Sequence, residues 1–337
     1  MPLVYVAQDD DHISTFRLNS SSGELSFVTN TKAGRHPSFL AFAPSNEFVY
    51  AVNELSNEVA AFALDPKSGE LSFLNRVSSE GVEPAFVSVD ATGRWVFVAN
   101  YRSGPVAVFQ VEPSGSLGPR ASATMTGTHP HAILLDRTNR FAFVPNLGSD
   151  EIAQLTFDSR RGTLEANEPR AISMRRGSEP RHFVFHPSRD FVYVVEESGS
   201  AVDAYALDAS KGTLSPIDSI SSLPDGADRS DNTGSDVHVS PSGQFLYASN
   251  RGHDSIAIYA IGDDGRLTLV GHESTRGKTP RNFGVDPTGT FLLAANKDSR
   301  SVAVFRIDRA RGTLRHLTTT TTGAAPYWVG VVTLPGP

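Results

Sequence analysis

A Gly-x-Leu tripeptide returns seven times along the chain, at Gly23-Glu24-Leu25, Gly69-Glu70-Leu71, Gly115-Ser116-Leu117, Gly162-Thr163-Leu164, Gly212-Thr213-Leu214, Gly265-Arg266-Leu267 and Gly312-Thr313-Leu314. The steps between copies are 46, 46, 47, 50, 53 and 47 residues. Each copy follows a short alternating segment, such as residues 59–64 or 302–307, so the glycine serves a tight turn of positive φ between two antiparallel strands. A second motif shares the period: a proline, two residues, an apolar strand, a turn, then another strand ending in Asn or an acid. It runs from Pro37 to Asn53, Pro84 to Asn100, Pro130 to Asn146, Pro180 to Glu196 and Pro280 to Asn296, with Gly234 replacing the proline in the copy that ends at Asn250.

A period near 46 residues that supplies four strands each time predicts an all-β, seven-bladed β-propeller with four antiparallel strands per blade. Helical repeats of similar period are disfavoured by the alternation of two and by the Val, Phe, Tyr and Thr content. The segment Pro326-Tyr327-Trp328-Val329-Gly330-Val331-Val332 supplies only a first strand. Residues 3–8 match the second-strand pattern of residues 48–53, and residues 13–18 and 25–28 supply the third and fourth. The last blade is therefore expected to close by pairing N- and C-terminal strands, which removes exposed sheet edges. Residues 1–337 then form a single propeller domain.

Hydrophobic residues make up 39% and charged residues 20%, enough for a large core in an ordinary globular chain. With no cysteine, disulfides, zinc ribbons, iron–sulfur sites and thiol nucleophiles are excluded. A net charge of -7 offers no footprint for nucleic acid. No signal-like start and no membrane-length apolar run is present, so a cytoplasmic protein that is a monomer or weak oligomer is expected. Nucleotide fingerprints, phosphate loops and His-Glu-x-x-His are missing, and His129 with His131 lacks further ligands for a metal; no cofactor and no metal are expected.

In a propeller, the start of strand one and the end of strand two share one face of the disc. The residue after the proline position reads Ser38, Ala85, His131, Arg181, Ser235, Arg281 and Tyr327; the residue one past the Asn position reads Asp9, Glu54, Tyr101, Leu147, Glu197, Arg251 and Lys297. Equivalent positions with unlike chemistry suit one ligand touched by different groups. Numbering blades from Pro37, the charged members cluster in blades three to six: His131, Arg181, Glu197, Arg251, Arg281 and Lys297. One acid and one imidazole among four cations fit an anionic substrate undergoing proton transfer. The loop at residues 224–235 approaches the same face and is a candidate lid. His182 and His238 have the opposite strand parity and are expected to be packed and hydrogen-bonded.

These residues resemble the seven-bladed propeller lactonases over essentially the whole chain. The resemblance rests on Pro180-Arg181-His182-Phe183-Val184-Phe185-His186-Pro187, Val195-Glu196-Glu197, Asp236-Val237-His238-Val239-Ser240-Pro241, Leu246-Tyr247-Ala248-Ser249-Asn250-Arg251, Pro280-Arg281-Asn282-Phe283 and Pro326-Tyr327-Trp328-Val329. It implies hydrolysis of a sugar-derived lactone, with 6-phospho-D-glucono-1,5-lactone as substrate and no metal. His131, Arg181, Glu197 and Arg251 are the catalytic set it implies. Arg281, Lys297, Glu196, Tyr101 and Tyr327 are expected around the substrate. Where such lactonases read Asn-Glu, this chain reads Glu196-Glu197. A fungal muconate cyclase shares the superfamily, so ring closure of a carboxymuconate, or a propeller that only binds partners, remain the alternatives.

Overall fold

The computed structural model describes residues 2–334. All seven repeat glycines take positive φ, between 67° and 84°, at the turn joining the third and fourth strands of a sheet. They are crowded as well. A Cβ on Gly69 would lie 2.0 Å from Leu3, one on Gly115 2.1 Å from the Phe48 ring, and one on Gly162 2.3 Å from the Trp95 ring. Each obstructing side chain sits on the second strand of the neighbouring sheet, so the glycine is required both by backbone conformation and by blade-to-blade packing. Tyrosine hydroxyls of the second strands tie the same seam, Tyr5 to the Gly69 carbonyl at 2.7 Å and Tyr247 to that of Gly312 at 2.9 Å.

Seven four-stranded antiparallel sheets result. Blade one comprises Pro37–Phe42, Phe48–Asn53, Glu58–Leu64 and Leu71–Ser78; blade four comprises Pro180–Phe185, Phe191–Glu196, Ala201–Asp208 and Thr213–Ser221. Blade seven pairs Pro326–Thr333 with Pro2–Gln8, in the register Val4↔Val331 and Val6↔Val329, as the terminal patterns predicted. The inner strands of neighbouring blades pack against one another around the axis. Core side chains interdigitate between sheets, where Phe97, Phe143, Phe283 and Phe305 are fully buried.

Two local features set the site. First, the inner strands bulge. Pairing slips between Pro37 and Phe39, Pro84 and Phe86, Pro180 and His182, and Pro280 and Asn282, and Pro326 and Trp328 flank the same slip in blade seven. The looped-out residues are Ser38, Ala85, Arg181, Arg281 and Tyr327, released from the alternation of the strand and re-aimed by the bulge. Second, the Asn that ends strand two is a bracket. The amides of Asn53, Asn100, Asn250 and Asn296 are buried and donate to carbonyls of the neighbouring blade's exit loop, Ala33, Ser79, Ser222 and Thr275.

Blade three departs from the repeat. Its inner strand shrinks to Leu134–Leu135, with a lone bridge between Pro130 and Asn146. Counting the register from Leu134↔Phe143 sets Pro145 opposite Ala132, and a proline has no N–H to give the ladder. The His131 N–H instead donates to the Pro145 carbonyl at 3.0 Å.

Candidate active site

The bulge end of the inner strands opens into a cavity of about 180 Å3. Arg181, Arg251 and Arg281 line it from blades four, five and six, and Glu197 stands among them. His131, Tyr101 and Ala85 form the wall contributed by blades two and three. Glu54 and Glu83 complete the lining from blades one and two.

Glu197 anchors the basic side. Its Oε2 lies 2.8 Å from Arg181 Nε and 3.1 Å from Arg251 Nη2. Burial pushes the Glu197 pKa up, but the guanidiniums of Arg181, Arg251 and Arg281 outweigh burial and hold it below the ordinary carboxylate value. Glu197 is therefore ionised at neutral pH. His131 is shifted for a different reason: burial, reinforced by the charges of Arg181, His182 and Arg281, lowers its pKa well below the usual imidazole value of 6.5. A neutral imidazole results, and its buried Nδ1 has no hydrogen-bond partner among the described residues. Arg251 Nη2 donates to the Gly234 carbonyl at 3.0 Å, whereas Arg251 Nε is buried without a partner.

Arg181 is almost wholly buried and is positioned from below. Its Nη1 donates to the Ser235 carbonyl and faces His182 Nε2 at 3.3 Å. His182 Nδ1 meets Asp236 Oδ1 at 2.8 Å, and His238 Nε2 meets Asp236 Oδ2 at 3.0 Å. With a carboxylate as acceptor the His182 proton belongs on Nδ1, which leaves Nε2 to receive the guanidinium. Burial, followed by the Arg181 charge, lowers the His182 pKa to about 4, so this ring is also neutral. His182 has the packed, hydrogen-bonded setting expected from its parity, whereas His238 is hydrogen-bonded but its side chain is 37% exposed.

Six of the nine residues singled out for catalysis or binding, namely His131, Arg181, Glu197, Arg251, Arg281 and Tyr101, meet in the cavity. Tyr327 and Lys297 are not among the lining residues, but Tyr327 adjoins one of them, Arg281, and Lys297 adjoins Tyr327. Arg281 stacks 4.8 Å from the Tyr327 ring centroid and Lys297 5.5 Å from it, so one aromatic ring gathers two cations. Glu196 does not face the cavity, which corrects the expectation that it touches substrate. It occupies the Asn bracket position, is 1% exposed, and binds Arg175 Nη2 at 2.7 Å. Adjacent residues of a strand point to opposite sides, so Glu197 can face the channel only if Glu196 does not. The loop at residues 224–235 supplies no lining residue; Asn232 within it ties down to Ser200 and Asn250 instead.

The reading of one acid among cations also needs correction, because the lining holds three guanidiniums and three carboxylates. Glu54 belongs to the same repeat column as Glu197 and Arg251, and was legible there. Glu83 and the nearby His36 occupy a column not considered, the residue before the proline. That residue has positive φ at His36, Glu83, His129, Glu179 and Thr279, which turns the chain into the bulge. No group of three or more His, Asp or Glu side chains suited to a metal ion occurs among the described residues.

A propeller whose inner-strand starts and second-strand ends bring an ionised carboxylate and a neutral imidazole to one cavity has the build of an enzyme rather than of a scaffold. The family model "Lactonase, 7-bladed beta-propeller" matches residues 4–331, and the chain belongs to that family of lactone hydrolases. It is 35% identical to a 6-phosphogluconolactonase of Bacillus subtilis over 293 residues, covering 83% of this chain and 82% of the relative. A 6-phosphogluconolactonase of Pectobacterium atrosepticum is 30% identical over 334 residues, covering 98% and 99%. The solved structure of a periplasmic gluconolactonase of Pseudomonas aeruginosa superposes with a TM-score of 0.91 at 26% identity, covering 99% of each chain. No helix among the described residues is long and apolar enough to cross a membrane.

Proposed function

We propose that this chain acts as a single-domain hydrolase of 6-phospho-D-glucono-1,5-lactone, and that His131, Glu197, Arg181 and Arg251 carry the reaction. The observation that carries this reading is the pairing, in one cavity, of a neutral imidazole with a carboxylate held ionised by two guanidiniums. In the proposed sequence His131 takes a proton from water as its oxygen bonds to the lactone carbonyl carbon, and Glu197 orients that water. Arg251, through its unpartnered Nε, and Arg181 stabilise the oxyanion that develops. The bond from that carbon to the ring oxygen then breaks, and the imidazolium returns its proton to the departing ring oxygen, which becomes a hydroxyl. Arg281 and Lys297, gathered by Tyr327, suit the phosphate.

Acid release from the phospholactone, corrected for its spontaneous opening, tests the reading. Wild-type protein is expected to accelerate it, and His131→Ala and Glu197→Gln are each expected to reduce kcat/KM by about 10²–10⁴-fold. Variants within a few-fold of wild type overturn the assignment. The pH dependence has a defined sign. Both pKa values are depressed, so the working forms persist as pH falls from neutrality and the acid limb of kcat/KM lies below 6.5. An acid limb at or above that value contradicts His131 as the base.

A further inference from the structure

The cavity sorts its charges by direction. The guanidiniums of Arg181, Arg251 and Arg281 occupy the arc of blades four to six, whereas Glu54 and Glu83 occupy blades one and two. These two carboxylates are not consumed by the basic arc. Both ion pairs of Glu197 are made with Arg181 and Arg251, and Glu83 pairs outward with Arg102 at 2.7 Å. Glu54 makes no side-chain hydrogen bond among the described residues; its Oε2 is buried without a partner, and its nearest basic group is His36 Nδ1 at 3.9 Å. Burial, the largest influence on His36, lowers its pKa, so the ring next to Glu54 is neutral rather than a compensating cation. Glu54 Oε2, buried without a partner, and Glu83 Oε2, the oxygen that Arg102 does not take, are acceptors awaiting donors.

A six-membered aldonolactone has the matching asymmetry. Its carbonyl carbon and the carbon bearing the phosphorylated arm both flank the ring oxygen, along one edge. The hydroxyls on C2, C3 and C4 form the opposite edge, and each is a hydrogen-bond donor. We infer that Glu54 and Glu83 are the specificity-determining residues of the site, accepting hydrogen bonds from the C2–C4 hydroxyl edge while the carbonyl and phosphate edge faces Arg181, Arg251 and Arg281. This rests on the lactone-hydrolase reading and adds to it the orientation of the ring and the class of substrate: a polyhydroxylated lactone with its negative charge confined to one edge. The same carboxylates exclude polycarboxylates, whose charges lie at more than one edge and meet Glu54 and Glu83 unpaired. The cyclase alternative is disfavoured on that ground.

Three substrates test it: 6-phospho-D-glucono-1,5-lactone, its 2-deoxy analogue, and the C4 epimer 6-phospho-D-galactono-1,5-lactone. Buried acceptors built for a hydroxyl reject an analogue that lacks or misplaces it, so wild type is expected to prefer the first substrate over each other by about tenfold or more in kcat/KM. In Glu54→Gln, Glu54→Ala and Glu83→Gln the preference over at least one analogue is expected to fall by about fivefold or more, through KM, and inhibition by the tricarboxylate tricarballylate to strengthen. Ratios between substrates do not depend on the fraction of a variant that is folded. Wild-type preferences below tenfold, or variant ratios that all stay within fivefold of wild type, overturn the inference while leaving lactone hydrolysis standing. Wild-type protein that opens none of the three lactones overturns the hydrolase reading and this inference with it.

Discussion

Each inner strand begins at a bulge and ends at a turn, and the two ends repeat very differently. At the turn end an Asp recurs in blades two, three and six. Asp136 accepts the N–H groups of Arg140 and Phe141 through Oδ1 and that of Thr138 through Oδ2, and Asp90 and Asp286 hold their turns in the same pattern. His186 does the equivalent work in blade four, accepting the N–H of Arg189 at 3.0 Å. At the bulge end the backbone recurs and the side chains do not: Ser, Ala, His, Arg, Ser, Arg and Tyr follow one another around the ring. The difference teaches how a repeat fold acquires a function. Turn residues must satisfy backbone groups of their own blade, so chemistry is fixed by local need. Bulge side chains have no turn of their own to satisfy and are free to differ.

That contrast makes ordered predictions. Of the three variants that test it, the largest effect is expected from Arg251→Gln, which should lower kcat/KM toward the phospholactone by about 10²–10³-fold while thermal unfolding shifts little. A variant that unfolds early but turns over normally would place Arg251 with the structural residues. Asp136→Ala should do the reverse: it strands several turn N–H groups and is expected to cost about 1–3 kcal/mol of stability, read by denaturant unfolding, with kcat/KM of the folded fraction retained. Loss of turnover without loss of stability would break the comparison.

The smallest effect sharpens it at the one bracket that departs from the repeat. Burial, then the Asp203 charge, raises the Glu196 pKa to about 7. A raised folded-state pKa means that the stabilising protonated form is fully present below the unfolded value of 4.5 and is lost as pH rises through 7. Glu196→Asn restores the residue used by the other blades and is expected to stabilise the protein at pH 8 by about 1 kcal/mol, with a smaller gain at pH 5. Equal shifts in Tm at the two pH values would show that ionisation of Glu196 is not the source.

Much of this was legible in the sequence because a repeat makes equivalent positions readable without a fold in hand. The Gly-x-Leu period reports the turns, and the proline motif reports the bulges, so His131, Arg181 and Arg281 could be selected by column alone. Glu196 was misread because a column does not say which of two neighbouring carboxylates faces the axis; strand parity and the bracket hydrogen bonds decide that. Glu83 was overlooked because a residue of positive φ before a proline reads as turn chemistry, although the bulge swings its side chain to the cavity.

By itself the sequence determined a closed ring of seven blades and the end of each blade on which chemistry gathers, because both follow from short-range periodicity. Only the tertiary structure decided the sign of the site. Glu54 and Arg251 are 197 positions apart along the chain, and nothing local to either shows that they line opposite walls of one cavity. Closing the ring brings them to one cavity, where three guanidiniums and three carboxylates are held together.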